Sequence, residues 1–253
     1  MLISESEELT EKMLKQQINQ YTGISEYYDL LMTAGYYDYE AQTDSLAHIL
    51  KSCNSVLELG VGTGLVAEKL IYKLPEIDFV GIDFTESMLI QAQKRLPKNI
   101  DLRHENVLTM DLCKNFDAAF SNGGIWYFID KHEKDYIFCS HLPKIQNIIK
   151  SFHNVANHLN NQGSLIFSVQ GVHQDYEESL PDEITYSQKI FPLPYDKFDK
   201  HYSFHRNKML LAKQTCKYQL LPESMAQILL HECGFEFQYI SPCKQYHVYK
   251  KVI

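Results

Sequence analysis

A short apolar run that breaks into three alternating glycines constrains the fold of this chain most strongly. Residues 56–64 read Val-Leu-Glu-Leu-Gly-Val-Gly-Thr-Gly, and a helical pattern follows from Leu65 until Pro75. The run predicts a buried strand, and the glycines let the backbone turn sharply and pass close to a ligand because they carry no Cβ. A helix that begins at such a turn points its free N–H groups back at the ligand. The stretch therefore predicts a nucleotide-type site at the end of a strand.

Strands and helices alternate after this turn. Further strands are predicted at residues 79–82, 100–104, 116–120 and 165–169, and the helix at 144–159 has the strongest apolar period in the chain. This rhythm predicts an α/β protein with a doubly wound, mostly parallel sheet, which binds ligands beyond the carboxyl ends of its strands.

The rhythm changes after Asp175. Residues 184–193, 201–205 and 210–221 are strand-like with no helix between them, and a helix is expected at 222–233. We expect an antiparallel, β-rich insertion before this last helix that folds over the open end of the sheet. The chain is expected to have three parts: an N-terminal helical cap at 1–43, a core domain at 44–175 and 222–253, and the insertion at 176–221. The cap is expected to begin with a polar amphipathic helix at 1–20.

Charge and composition exclude several classes of protein. The net charge is −8, which disfavours a nucleic-acid backbone as partner because phosphates require a basic surface. No run approaches the length of a membrane span, and the acidic first eight residues lack the apolar core of a signal peptide, so the cytoplasm is the expected location. The six cysteines form no CxxC pair and are expected to be buried thiols. An exposed strand edge in 184–221 could pair with a second copy of the chain, so a homodimer is a further expectation that stays open.

Two kinds of cofactor fit a glycine-rich turn with an acid, here Asp83, after the second strand. A dinucleotide fingerprint needs the register G-x-G-x-x-G, as in nicotinamide oxidoreductases. Here the three glycines stand at alternate positions, and Glu58 lies inside the preceding strand. With these features the chain resembles the class I S-adenosylmethionine-dependent methyltransferases. Residues 57–64 look like the first motif of that family, 81–89 like its second, and 116–120 like its fourth strand.

The resemblance implies a seven-stranded Rossmann-like sheet, S-adenosylmethionine as cofactor, and a set of binding residues. Asp83 would accept hydrogen bonds from both ribose hydroxyls, which suits a carboxylate. Asn106 would meet the adenine edge, where many members of the family have Asp. The implied cofactor-binding residues lie at or beside the strand ends and in the N-terminal segment: Tyr28, Glu58, Gly60, Gly62, Thr63, Gly64, Asp83, Phe84, Met88, Asn106, Val107, Ser121 and Asn122.

A finer resemblance is to small-molecule N-methyltransferases that act on amino sugars or on glycine and sarcosine. It is carried by residues 28–31 (Tyr-Asp-Leu-Leu) and by the β-rich insertion. It implies that Tyr28 closes over the cofactor and takes part in catalysis. The expected substrate contacts are aromatic or basic side chains: Tyr39, Trp126, Tyr127 and His201. Residues 129–142 mix charged and aromatic side chains without a clear period and are expected to form a lid.

The acceptor atom decides which catalytic groups are needed. A neutral amine needs only to arrive deprotonated, whereas a hydroxyl benefits from a general base, for which His173 is the candidate. No metal is expected, because residues 121–122 and 170–171 offer no acids after the fourth and fifth strands. The same Ser-Asn-Gly-Gly stretch at 121–124 disfavours methylation of nucleic-acid bases.

The expected function is methyl transfer from S-adenosylmethionine to a small-molecule acceptor, with an amine nitrogen favoured. O-methylation with His173 as base and a non-catalytic, cofactor-binding interaction protein are the alternatives. The identity of the acceptor, the number of methyl groups transferred and the oligomeric state stay open at this point.

Overall fold

The computed structural model describes residues 19–132 and 135–252. The helix predicted at 1–20 therefore falls almost wholly outside the described residues. The described elements are α1 (Ser25–Leu31), α2 (Tyr39–Leu50), β1 (Ser55–Leu59), α3 (Leu65–Lys73), β2 (Asp78–Asp83), α4 (Glu86–Arg95), β3 (Asp101–His104), β4 (Phe116–Ser121), β5 (Trp126–Asp130), β6 (Tyr136–Ser140), α5 (Ile145–Asn157), β7 (Leu159–Gln170), β8 (Tyr176–Leu180), β9 (Ile184–Leu193), β10 (Lys197–Arg206), β11 (Met209–Pro222), α6 (Glu223–Glu232), β12 (Phe235–Ile240) and β13 (Tyr246–Lys251).

One half of the sheet has the predicted α/β architecture. Its strand order is β3-β2-β1-β4-β7-β13-β12, and we call these strands the parallel half. β1 pairs in parallel with both β2 and β4, and β7 pairs in parallel with β4. Only β13 is antiparallel to both of its neighbours in this half. The carboxyl ends of β1, β2 and β4 therefore meet at one edge, as the alternating sequence pattern predicts.

The other half of the sheet is antiparallel and begins beside the carboxyl end of β7. β5 pairs with β7 through Phe128 and Ile129, opposite Val169 and Gln170, and is followed in space by β6, β11, β10, β9 and β8. We call β5, β6 and β8–β11 the antiparallel half. The two halves form one continuous sheet of 13 strands. The insertion predicted after Asp175 is thus β-rich, as expected, although its assignment as a separate domain stays a prediction.

The lid predicted at residues 129–142 is wrong. Most of this segment belongs to the hairpin β5–β6, in which Phe128 and Phe138 are fully buried. The apolar run Trp-Tyr-Phe-Ile at 126–129 forms a strand that is buried along its length, as a short continuous apolar run favours. Lys131 and Asp135, two of the charged residues that obscured the pattern, lie at the turn between the two strands.

The N-terminal segment packs against the antiparallel half rather than against the parallel half alone. Ile24 and Leu31 share a buried cluster with Tyr186 and Phe204, and the ring of Tyr27 stacks on Phe204 with centroids 5.4 Å apart. α2 packs instead on α3, beside β1 of the parallel half. The segment before β1 therefore bridges both halves. None of the helices in the described part of the chain is long and apolar enough to cross a bilayer.

Candidate active site

The turn after β1 adopts backbone angles that favour glycine at all three predicted positions. Gly60, Gly62 and Gly64 have φ of +80°, +56° and +82°. A Cβ on Gly60 would lie 2.9 Å from the Cα of Gly124, so this turn and the turn after β4 touch through their backbones. A Cβ on Gly62 would meet no atom within 4 Å. The first glycine allows two loops to meet, and the second leaves open space for a ligand.

Asp83, at the end of β2, is held by two backbone donors. Its Oδ2 accepts from the N–H of Gly62 at 2.9 Å, and its Oδ1 accepts from the N–H of Thr85 at 2.8 Å. Its side chain is buried, which raises the pKa of the carboxyl, while the two backbone hydrogen bonds act in the opposite direction. Each carboxylate oxygen can accept a second hydrogen bond. The carboxylate is therefore fixed in place with acceptor capacity left for a ligand.

A cavity of ≈ 350 Å³ opens at this edge of the parallel half. We call it the cofactor cavity, and its volume is within the range of small-molecule sites. Predicted residues that line it are Tyr28, Gly60, Gly62, Asp83, Phe84, Met88, Asn106 and Val107. Asn106 accepts from the N–H of Leu108 at 2.9 Å through its Oδ1, which fixes the side-chain amide at the cavity wall. The residues that follow β1, β2 and β3 thus come together as the topology predicts.

Five predicted cofactor residues lie outside this lining, and two of them tie the turn after β4. The Oγ of Ser121 accepts from the N–H groups of Ile125 and Trp126, both at 3.0 Å. Asn122 donates to Gln42 at 3.1 Å and accepts from the hydroxyl of Tyr246 at 2.7 Å. Ser121 and Asn122 do not line the cofactor cavity, and their contact with the cofactor stays a prediction. Their polar groups are used within the protein, and the cavity wall is formed instead by the next residues, 123–125.

Glu58, Thr63 and Gly64 lie close beneath the cofactor cavity without lining it. Glu58 is 2% exposed, and its Oε2 has no partner among the described residues. Burial raises the pKa of this carboxyl well above its usual range, and the nearby charge of Asp83 adds to the effect. Gly64 is the residue before α3, which begins at Leu65. Glu58 is thus an orphaned buried acid directly below the glycine turn.

Thr63 anchors the N-terminal helix. Its Oγ1 donates to the Oδ1 of Asp29 at 2.5 Å, and its carbonyl accepts from the Nε of Arg95 at 2.9 Å. Arg95 also forms an ion pair with Asp29. Because Asp29 follows Tyr28 in α1, this network holds Tyr28 at the cavity wall.

A second, smaller cavity of ≈ 30 Å³ adjoins the first. We call it the inner chamber. The two cavities share four lining residues: Tyr21, Tyr28, Gly123 and His141. The other residues of the inner chamber come from the N-terminal segment, the ends of β5 and β7, and the antiparallel half: Met32, Tyr36, Tyr37, Tyr127, Gln170, His173, Lys200, Tyr202 and Tyr218.

His173 and Tyr127, both predicted for the site, meet in the inner chamber. The Tyr127 hydroxyl lies 2.8 Å from the Nε2 of His173, and the Nδ1 lies 3.4 Å from the Nζ of Lys200. Burial, followed by the charge of Lys200, lowers the pKa of His173 well below its usual range. The imidazole is therefore neutral at physiological pH. Lys200 is missing from the sequence prediction, although it is the cation closest to this histidine.

Trp126, His201 and Tyr39 line neither cavity. Trp126 is fully buried in the core, with its ring centroid 4.9 Å from that of Phe152. His201 is exposed and packs on Phe191, on the opposite face of β10 from the chamber. The residues that face the chamber are their neighbours in the same strands, Tyr127 and Lys200, and acceptor contacts through Trp126 and His201 stay predictions.

Tyr39 is half-buried at the start of α2. Its ring centroid lies 5.7 Å from that of Tyr37, which does line the inner chamber. Tyr39 therefore supports the chamber wall from behind, and a substrate contact through it stays a prediction.

Further residues that line the cofactor cavity were not named individually from the sequence, although two of them, His141 and Leu142, fall within the predicted lid. They lie in the N-terminal segment, in the loop between β6 and α5, and in the first turn of α5: Asn19, Tyr21, His141, Leu142, Pro143, Lys144 and Asn147. The signal that could have found the second group is the β5–β6 hairpin, since it brings this loop back to the edge where β4 ends.

Comparison with known proteins gives a family match for the segment that carries the glycine turn. Residues 56–163 match the family described as "Methyltransferase domain". Malonyl-(acyl-carrier protein) O-methyltransferase of Bacillus cereus is 31% identical over 141 residues, which are 53% of this chain and 46% of that protein. The chain thus spans about half the length of the curated relatives that it matches in this way.

Solved structures with low sequence identity share the fold over most of the chain. DesVI of Streptomyces venezuelae has a TM-score of 0.68 at 18% identity, covering 89% of this chain and 97% of its own. The sugar N-methyltransferase KedS8 of Streptoalloteichus has a TM-score of 0.68 at 16% identity, covering 88% and 92%. The resemblance stated from the sequence is confirmed over residues 56–163, and the solved structures confirm the fold class.

Proposed function

We propose that this chain, of which residues 56–163 match a methyltransferase domain, transfers a methyl group from S-adenosylmethionine to a small-molecule acceptor at the boundary between the cofactor cavity and the inner chamber. The observation that carries this proposal is that Tyr28, Gly123 and His141 line both cavities. A cofactor in the larger cavity and an acceptor that reaches into the smaller one would therefore be neighbours. Holding two reactants in a fixed orientation is the main contribution such a site makes to the rate, about 7–11 kcal/mol at best.

The residues of the cofactor cavity suit S-adenosylmethionine. Asp83 offers acceptors for ribose hydroxyls, Asn106 offers an amide for an adenine edge, and Met88 offers an apolar surface for a ring. The space beside Gly62 allows a ligand to approach the backbone. The orphaned carboxyl of Glu58 fits a ligand that brings a positive group to this turn. When bound, S-adenosylmethionine supplies a methyl group on a sulfonium, which a nucleophile takes up by direct displacement.

The proposed acceptor atom is an amine nitrogen. Its support is the chemistry of His173, whose lowered pKa makes it a weak proton acceptor. A neutral amine needs no strong base, so the environment of His173 suits nitrogen. Tyrosine rings in the chamber wall, among them Tyr28 and Tyr36, can also stabilise the positive charge on the product, by about 0.5–2 kcal/mol each.

O-methylation is the second candidate, and one contact favours it. His173 and the Tyr127 hydroxyl form a hydrogen-bonded pair inside the chamber, and an acceptor hydroxyl that takes the place of the Tyr127 hydroxyl would give its proton to the imidazole. A relative of the matched domain is named an O-methyltransferase. For this version we expect His173→Ala to remove methyl transfer while binding of S-adenosylhomocysteine is unchanged. Full activity of the variant would leave nitrogen as the acceptor.

The decisive experiment measures cofactor binding and methyl transfer separately. Isothermal titration calorimetry with S-adenosylhomocysteine should show binding to the wild type and a loss of tenfold or more in Asp83→Ala. Asp78→Ala is the matched control, because this acid lies at the other end of β2 and pairs with Lys114 at the surface. Transfer of label from S-adenosyl-[methyl-³H]methionine to an extract of small molecules should follow. Binding without any transfer would support the non-catalytic interaction protein instead.

A further inference from the structure

A buried lysine in the wall of the inner chamber has no carboxylate partner among the residues that the structure describes. Lys200 is 2% exposed, on a strand face that it shares with Phe198 and Tyr202. None of the ion pairs found within residues 19–132 and 135–252 involves its ammonium group. A buried charge is costly unless an opposite charge and hydrogen bonds compensate it. A negative group beside Lys200 would offset the cost of its burial, and the described residues do not supply one.

The groups that surround Lys200 are neutral. Its Nζ lies 3.2 Å from the Tyr36 hydroxyl and 3.4 Å from the Nδ1 of His173, and 4.8 Å from the centre of the Tyr202 ring. An ammonium group has three donors, and its remaining capacity is directed to the same small space. Burial lowers the pKa of Lys200 to about 8, so the side chain is still mostly protonated at neutral pH.

The size and the walls of the chamber restrict which anion can enter. Its ≈ 30 Å³ corresponds to about two water-sized groups, which matches the two oxygens of a carboxylate better than the four of a phosphate. The Tyr37 hydroxyl, which donates to Gln170 at 2.9 Å, adds a polar group to the wall. The Tyr36 hydroxyl likewise donates to Gln188 at 3.1 Å, so Lys200 is the charged donor of this wall that can pair with a carboxylate.

We propose that the inner chamber binds a carboxylate of the methyl acceptor, with Lys200 as its ionic partner. The proposal rests on the proposed function and narrows its substrate to small molecules that carry a carboxylate as well as the methylated atom. Lys200 binds the carboxylate and so orients the rest of the molecule toward the cofactor cavity, through the boundary at Tyr28.

A binding experiment can test the subsite without knowledge of the acceptor. The chain, labelled with ¹³C at the ε carbon of lysine and saturated with S-adenosylhomocysteine, is titrated with acetate by NMR. The Lys200 signal is assigned by its absence from Lys200→Met, in which a side chain of similar length keeps the apolar packing. We expect acetate to shift this signal with a millimolar dissociation constant, whereas neutral acetamide and inorganic phosphate leave it unchanged. The signal of Lys213, exposed on β11, serves as the internal control.

The opposite results have defined meanings. A Lys200 signal that ignores acetate, or that responds only to phosphate, overturns the carboxylate proposal. Methyl transfer to the extract should fall tenfold or more in Lys200→Met, with the dissociation constant for S-adenosylhomocysteine unchanged and Lys213→Met equal to wild type. Undiminished transfer in Lys200→Met also overturns it. Failure of the wild type to bind S-adenosylhomocysteine would instead refute the proposed function, and acetate binding to the unsaturated chain would still decide the subsite.

Discussion

Replacing Gly62 by alanine separates the ligand role of the glycine turn from its role in folding. A Cβ at this position meets no protein atom within 4 Å, and the N–H that donates to Asp83 is retained. The alanine must adopt φ of +56°, which costs about 1–2 kcal/mol of stability. Gly35 is the matched control, because it has φ of +94°, equally open space around its Cβ position, and no part in either cavity. Both variants should therefore lose a similar amount of stability without ligand.

Their responses to cofactor should differ. A methyl group that intrudes on a well-packed ligand costs about 1–3 kcal/mol, which is about 5- to 150-fold in the dissociation constant. S-adenosylhomocysteine at 100 times the wild-type dissociation constant should stabilise the wild type and Gly35→Ala by about 2.7 kcal/mol. The same concentration should stabilise Gly62→Ala by only about 0.3–1.8 kcal/mol. Urea denaturation with and without ligand measures both quantities. Equal ligand stabilisation in the two variants would refute the assignment of the open space beside Gly62 to the cofactor.

Three further predictions concern the acid response, the core and the anchor of α1. Burial lowers the pKa of His247 to about 4, whereas an unfolded histidine titrates at about 6.5. Below about pH 6.5 the unfolded state therefore takes up a proton that the folded state does not, and the free energy of unfolding falls with the pH. The unfolding free energy of wild type relative to His247→Phe should thus fall by about 1.4 kcal/mol per pH unit between pH 6 and 4, and a constant difference would contradict this. Trp126→Ala should cost about 3–5 kcal/mol in urea while the folded fraction binds S-adenosylhomocysteine normally, and weakened binding would count against a pure core role. Asp29→Asn weakens the contacts of Asp29 with Thr63 and Arg95, which should reduce the free energy of local opening of α1 by about 1 kcal/mol. Amide exchange in α1 should therefore speed up about fivefold, while exchange in β5 stays unchanged.

The parallel half and its cavity were predictable from sequence because their signals are local. Each strand is followed directly by its functional residue, so the order of strands alone brings Gly62, Asp83 and Asn106 to one edge. Ser121 and Asn122 follow the same rule but lie outside the lining of the cofactor cavity. The Ser121 Oγ is bound by nearby N–H groups, those of Ile125 and Trp126. Asn122 instead bonds to Gln42 and Tyr246, and no local pattern reveals such distant partners.

The inner chamber was only half predictable, because strand pairing decides which side chains enter it. The alternation of Phe198, Lys200, Tyr202 and Phe204 marks one face of β10, but a lysine in an apolar series is ordinarily assigned to the solvent. His201 has the more familiar catalytic chemistry, yet it lies on the other face. Because side chains alternate along a strand, the apolar neighbours of Lys200 at every second position indicate that Lys200, and not His201, faces inward.

The turn between β9 and β10 therefore decides which side chains of β10 face the inner chamber, and so the charge of its wall. Tyr195 and Asp196 both have positive φ in this turn, which sets the pairing of Leu193 with Lys197 and all pairs after it. Adding or removing one residue there would reverse the two faces of β10 relative to β9, since side chains alternate strictly. Lys200 would then leave the chamber, and Asp199 and His201 would enter it. An insertion or deletion of a single codon could invert the charge preference for the acceptor while every residue that binds the cofactor stays the same.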